Sequence, residues 1–171
     1  MDAVTLIQQQ THGGRQWLEG TVGELTSEQV QWAPEGSSSI GAQYAHILTG
    51  EDMLVNGVAK GGAPLFATDW AGKTGLSELP PRGAWGDWGR SVQVDLPALR
   101  AYGQAVHASM DSYLASLTPD DLDRTVDLTA LGIGEVSLGF FLTGIVLANL
   151  NWHCGEISCL KGQQGLKGYP A

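Results

Sequence analysis

Val4, Ile7, Thr11, Gly14, Leu18, Thr21 and Leu25 recur at alternating steps of three and four, the spacing of one helix face. The stripe is softly apolar, and it predicts a first helix. Thr26-Ser27-Glu28-Gln29 reads as a capping box opening a short helical turn, which Pro34 and Gly36 close. Ser37 to Ser39 then offer N-caps for a second helix over about Ile40 to Val58. Its only charges are Glu51 and Asp52, so protein should cover most of its circumference. Asp95 caps a third helix with Pro97 in its first turn, and Leu96, Leu99, Gly103, Val106, Met110, Tyr113 and Leu117 form its stripe. Thr118-Pro119-Asp120-Asp121 opens another turn, and Arg124 to Val136 alternates weakly around Leu131-Gly132-Ile133-Gly134, as a small hairpin or turn would. A fourth helix spans about Ser137 to Lys161 and stops at Gly162.

Four long helices in 171 residues predict an all-α four-helix bundle forming a single domain over 1–171. Between helices two and three lies a long irregular insert, residues 60–94. It holds seven glycines, Pro64, Pro80, Pro81 and three of the six tryptophans. A loop this long inside a compact domain is usually functional or partly disordered. It is expected to cover the mouth of a bundle pocket, with Trp70, Trp85 or Trp88 in the wall.

Charge narrows the choice of partners. Nine basic residues against 18 acidic ones leave a net charge of −9, and no Lys/Arg cluster reverses it locally. Such a surface repels phosphate backbones, so nucleic acid is excluded as a partner. Val136 to His153 carries no charge, but Asn149, Asn151 and the small positions break it up, so it reads as a buried helix and not a membrane span. Met1-Asp2-Ala3 lacks the basic and apolar regions of a signal peptide, and Cys154 and Cys159 are too few for a disulfide framework. A cytoplasmic protein with free thiols is expected. Six tryptophans on a weakly charged chain point to a homodimer, because interface cores favour aromatic residues over charged ones.

On the fourth helix Leu142, Val146, Asn149, His153, Ile157 and Leu160 form one stripe, which puts an amide and an imidazole on the face that should meet the core. Burying them requires partners. They can bond to each other or to a facing helix, or, at i and i+4, grip one metal ion. His46 lies off the main stripe of the second helix, on a small uncharged patch with Ala42, Thr49, Gly50 and Met53. Glu51 falls inside that main stripe, about 140° from His46 at 100° per residue, so one ion would not hold both. Glu51 is expected instead to partner a buried Arg or Tyr. His12 reads as solvated, His107 as a bundle-edge residue and Cys154 as a structural thiol. There is no phosphate loop, no G-x-S-x-G and no paired-carboxylate arrangement.

The pieces in order resemble the DinB-like superfamily, bacterial four-helix bundles of DinB/YfiT type described as metalloenzymes. The opening resemblance is Leu25-Thr26-Ser27-Glu28-Gln29-Val30-Gln31-Trp32-Ala33-Pro34, followed by Ser39-Ile40-Gly41-Ala42-Gln43-Tyr44-Ala45-His46-Ile47. The closing one is Asn149-Leu150-Asn151-Trp152-His153-Cys154-Gly155-Glu156-Ile157, then Leu160-Lys161-Gly162. By position the resemblance implies His46 and His153 as ligands of a divalent metal, Zn²⁺ or Ni²⁺. It puts Asn149 where the family usually has a third histidine. An amide oxygen is a poor ligand for such ions. Water or another side chain would complete the site, or metal binding has been lost. Relatives include thiol transferases and isomerases using mycothiol or bacillithiol, which implies a metal-activated low-molecular-weight thiol in a bundle pocket. The alternative is a non-catalytic, stress-associated or small-ligand-binding bundle with a degenerate metal site.

Overall fold

The computed structural model describes residues 1–170. Helix α1 (Ala3–Val22) starts at Asp2, whose side chain accepts from the Thr5 N–H. Thr26 and Gln29 form the expected reciprocal capping box on the short α2 (Ser27–Gln31). Ser39 caps α3 (Ile40–Asp52) through the Ala42 N–H, and the chain continues without a break as a π-helical stretch, Met53–Ala59. The insert holds the short α4 (Trp88–Ser91), and after it comes the long α5 (Leu96–Ser116), which Asp95 caps as the sequence indicated. The hairpin is real but small. β1 (Thr125–Asp127) pairs antiparallel with β2 (Glu135–Ser137), Val126 opposite Val136. The last helical segment is composite: α6 (Leu138–Phe140), a second π stretch (Phe141–Leu147) and α7 (Ala148–Gln163).

These long segments bury one another. α7 lies against α3 and α1, and α5 against α3. Leu18, Tyr44, Leu48, Leu99, Tyr102, Leu150 and Ile157 form one half of the core. Ile7, Leu54, Met110, Leu138, Phe141 and Leu142 form the other. Gly103 allows α5 to approach α3, since a Cβ there would stand 2.9 Å from the Leu48 Cδ1.

The insert is less irregular than its composition suggests. It contains a 3₁₀ turn (Leu65–Ala67), α4, and a β-bridge between Leu76 and Val94. Its anchor is Asp52, which has no exposed surface. One carboxylate oxygen accepts from the Leu65 N–H at 2.9 Å and from Asn56; the other accepts from the Phe66 N–H at 3.0 Å and the Tyr102 hydroxyl at 2.7 Å. Four donors compensate for taking that charge out of water. Gly75 closes the far end at φ +79°, where a Cβ would stand 2.6 Å from the Asp95 carbonyl oxygen. Only glycine fits there. Trp85 and Trp88 are thereby held over one end of the α3–α7 contact.

The second π stretch corrects one expectation. A π turn accommodates an extra residue and shifts the phase of the helix that follows. The buried row therefore continues from Leu142 and Val146 through Leu150, Cys154 and Ile157. Asn149 and His153 are rotated to the edge of the core, half-buried, and face α3.

Candidate functional site

His46 and His153 meet across the α3–α7 contact. Their ring centres are 4.7 Å apart, with the planes at 75°. Trp85 from the insert covers both, 4.6 Å from the His46 ring and 5.7 Å from the His153 ring, stacked at 28° on the latter. Of the three insert tryptophans expected near the pocket, Trp85 supplies this wall. Trp88 packs behind it, and Trp70 packs against Tyr102. Asn149 reaches the same place one turn before His153, its Nδ2 3.7 Å from where a Gly50 Cβ would be.

Each imidazole has a defined electrostatic setting. Burial drives the His46 pKa down to about 4, and the neighbouring His153 pushes the same way. A hydrogen bond from the Asn149 side chain and the Glu156 charge oppose them. His46 is therefore neutral at pH 7. The His153 Nδ1 stands 2.7 Å from the Glu156 carboxylate. A carboxylate only accepts, so Nδ1 carries the hydrogen there and the neutral ring keeps its lone pair on Nε2. A carboxylate holding the far nitrogen of an imidazole is the usual support for a metal-binding histidine.

The ring separation can be set against what one shared ion requires. With nitrogen–metal distances of about 2.0–2.1 Å, two imidazoles on adjacent coordination positions have centres roughly 4.5–5.2 Å apart. The observed 4.7 Å fits. Among the described residues, no group of three or more His, Cys, Asp or Glu side chains gathers around a possible ion. The polar groups gathered there are two imidazoles and the Asn149 amide.

Beside the pair, a cleft of about 400 Å³ runs toward the C-terminal end of α7, lined by Gln43, Trp85, His153, Glu156 and Cys159 among others. Gln43 and Cys159 were missed in the sequence. Gln43 precedes His46 by three residues, so helical spacing from a candidate ligand could have found it. Cys159 is exposed and free, in keeping with the expected free thiols, but no spacing tied it to a site.

The remaining candidates lie elsewhere. Glu51 meets the partner expected of it: Arg15 donates to its carboxylate at 2.6 Å, deep between α1 and α3, and also to Asp111 at 2.6 Å. Burial pushes the Glu51 carboxyl up despite that guanidinium. His12 is exposed, and Cys154 is buried with its thiol directed to Thr21 and its pKa raised by burial. His107 flanks Arg15 with its Nε2 buried and unpartnered, and burial brings its pKa to about 4.

His107 has a consequence for acid stability. Unfolded histidine titrates near 6.5 and folded His107 near 4, so the unfolded chain binds the extra proton in between. The favourable contribution is complete above pH 6.5 and is lost as pH falls toward 4. Arg15 deepens the depression and Asp111 opposes it. Glu51, with its raised pKa, works with the opposite sign at the acid end. His107→Gln should flatten the fall in urea stability between pH 6.5 and 4 by about 3 kcal/mol. An unchanged slope would mean that His107 titrates normally in the folded protein.

The sequence matches the family model described as the DinB superfamily over residues 10–157, most of the chain. The chain belongs to the DinB superfamily. The crystal structure of a "conserved protein of locus" from Enterococcus faecalis superposes with a TM-score of 0.76 at 18% identity, covering 94% of this chain and 96% of that one. At that identity the likeness shows a shared fold. No curated protein sequence matches. Among the described residues of this DinB-superfamily chain, no helix is long and apolar enough to cross a membrane.

Proposed function

We propose that this DinB-superfamily protein is a four-helix-bundle, divalent-metal-dependent enzyme acting on a small molecule in the Trp85 cleft. His46 and His153 would hold Zn²⁺ or Ni²⁺, and Asn149 would ligate weakly or orient a water. The observation that carries this reading is the facing pair, with one imidazole kept neutral by burial and the other oriented by Glu156. A neutral His46 need lose no proton to bind a metal near pH 7. A bound divalent metal lowers the pKa of a coordinated thiol or water, which suits a transferase using a low-molecular-weight thiol. The chain's own contribution is positional. Glu156 fixes the His153 ring through Nδ1, Trp85 shields both rings from bulk water, and Asn149 presents an amide to the same space.

Asn149 also favours a second reading, in which the pocket binds a small ligand without a metal and without catalysis. Elemental analysis after loading and desalting separates the two. About one equivalent of Zn²⁺ or Ni²⁺ supports the enzyme, and none supports the binding protein.

The reading includes a cytoplasmic homodimer, supported by Trp17 and Trp152 standing 44% and 68% exposed along the α1–α7 groove. Aromatic residues in such a setting are typical of interface cores. Sedimentation at micromolar concentration should give a dimer. A single 18.1 kDa species would remove that part of the proposal.

A further inference from the structure

His153 lines the cleft and His46 does not, although the two rings are 4.7 Å apart. Trp85 lines the same cleft with its ring 4.6 Å from that of His46, so the indole closes this side of His46. The segment that carries Trp85 is tied down only at its ends. The Trp88 Nε1 donates to the Glu78 carbonyl at 3.2 Å, the Ser77 N–H to the Gln93 carbonyl at 3.0 Å and the Ser39 N–H to the Gly89 carbonyl at 2.8 Å. α4 is also pressed onto the start of α3, where a Cβ on Gly89 would stand 2.9 Å from the Ser38 Cβ. Between these ends the chain is loose. From Leu79 to Ala84 it makes no backbone hydrogen bond among the described residues, and residues 81–84, 86 and 87 are exposed. Trp85 alone in that run turns inward, held by the two imidazoles and by Trp88, 5.5 Å away. Gly83 and Gly86 flank it at φ +88° and +50°, and a Cβ on either would meet nothing within 4 Å. Segments with few packed contacts and unpaired backbone are those that open most readily.

We propose that residues 79–87 form a flap that swings on Gly83 and Gly86 and gates access to His46. Closed, as in this structure, the flap leaves His153 on the cleft and seals His46 behind the indole. Open, it joins both rings and the cleft in one chamber. The glycines make the movement inexpensive, because glycine enters and leaves the left-handed region without the penalty that a Cβ imposes. A rigid loop would need its tip pinned by hydrogen bonds or packing, and one side chain is all that holds this one. Lid opening of this kind commonly sets how fast a site takes up and releases its ligands. A ligand that needs both imidazoles waits for the flap, whereas one that needs His153 alone does not.

The inference rests on the reading that the imidazole pair is the functional site, but it does not need a bound metal. The test therefore uses metal-free protein in chelator at pH 7. The probe is diethyl pyrocarbonate, which acylates neutral imidazole, and mass spectrometry reads the rate at each histidine. His107, on α5 and away from the flap, reports on the rest of the bundle. Wild-type His46 should react about tenfold more slowly than His153, as an open form populated at about a tenth or less would give. Gly86→Ala and Gly83→Ala introduce no clash but strain the closed backbone, so each should speed His46 about fivefold. Trp85→Ala should speed it most, with His107 unchanged in every variant. His46 reacting as fast as His153 in the wild type would overturn the proposal. So would an unchanged His46 rate in the glycine variants or in Trp85→Ala, or a matching rise at His107, which would mean general loosening of the bundle. Zinc titration of the same proteins is a separate result, so the metal reading and the flap can fail independently.

Discussion

Glu51→Leu should lower the unfolding free energy by about 3 kcal/mol, whereas Asp111→Asn should cost under about 1 kcal/mol. Both carboxylates sit 2.6 Å from Arg15, so distance alone would rank them equally. Solvent separates them. The Glu51 side chain is 3% exposed and that of Asp111 60%. Removing Glu51 leaves a buried guanidinium with one solvent-screened partner and an Nε that already has none. Removing the Asp111 charge leaves the buried pair intact. Breaking a buried pair typically costs about 3–5 kcal/mol, and the surviving Asp111 contact sets the expected loss at the lower end. Replacing both partners, as in Arg15→Met with Glu51→Leu, should recover most of the loss, because an apolar pair needs no counter-charge. Urea unfolding followed by tryptophan fluorescence measures all three. Equal losses for Glu51→Leu and Asp111→Asn would mean that the pair is hydrated in solution.

Asn149→His should tighten Zn²⁺ or Ni²⁺ binding at least tenfold, about 1.4 kcal/mol. Position 149 lies one turn before His153, and a four-residue step advances about 6 Å while returning nearly to the same face. The new imidazole would enter the space opposite Gly50, which has no side chain to obstruct it, and His46 faces the same space. An imidazole is a better ligand for these ions than an amide oxygen. Affinity should also fall more steeply below pH 6.5, because one more ring must be neutral before it can bind. The cost to stability should be small, since Asn149 is only half-buried at the edge of the core. Calorimetric titration at pH 7 decides it. Equal affinities for wild type and variant would place residue 149 outside the cavity that His46 and His153 share.

What the sequence revealed and what it hid divide along the range of the interactions. Asp95, Ser39 and the Thr26–Gln29 box mark helix starts through bonds spanning three residues, and each is where the pattern indicated. The stripe of α5 buries Leu96, Leu99, Gly103, Val106 and Met110, because that segment is α-helical throughout. The fourth helix misled because its π stretch leaves no distinct sequence mark, and the resulting phase shift moved Asn149 and His153 from the core to its edge. Arg15 carries no sequence mark of burial. Its partner Glu51 lies on another helix, and no local spacing links the two. The meeting of His46 with His153 is equally non-local; periodicity placed each on its helix, and only the family resemblance joined them. Trp85 was one of three tryptophans in a segment without period, and Asp52, which anchors that segment, showed only as an unexplained charge in an apolar run.

The most direct test of the account is a Zn²⁺ titration of the purified, chelator-treated protein beside its His46→Ala and His153→Ala variants. A shared site gives one equivalent bound by the wild type and a loss of at least a hundredfold in affinity, about 2.7 kcal/mol, in each variant, with circular dichroism unchanged. Absence of binding by the wild type, or binding that survives either alanine, would contradict a metal centre built on the two histidines.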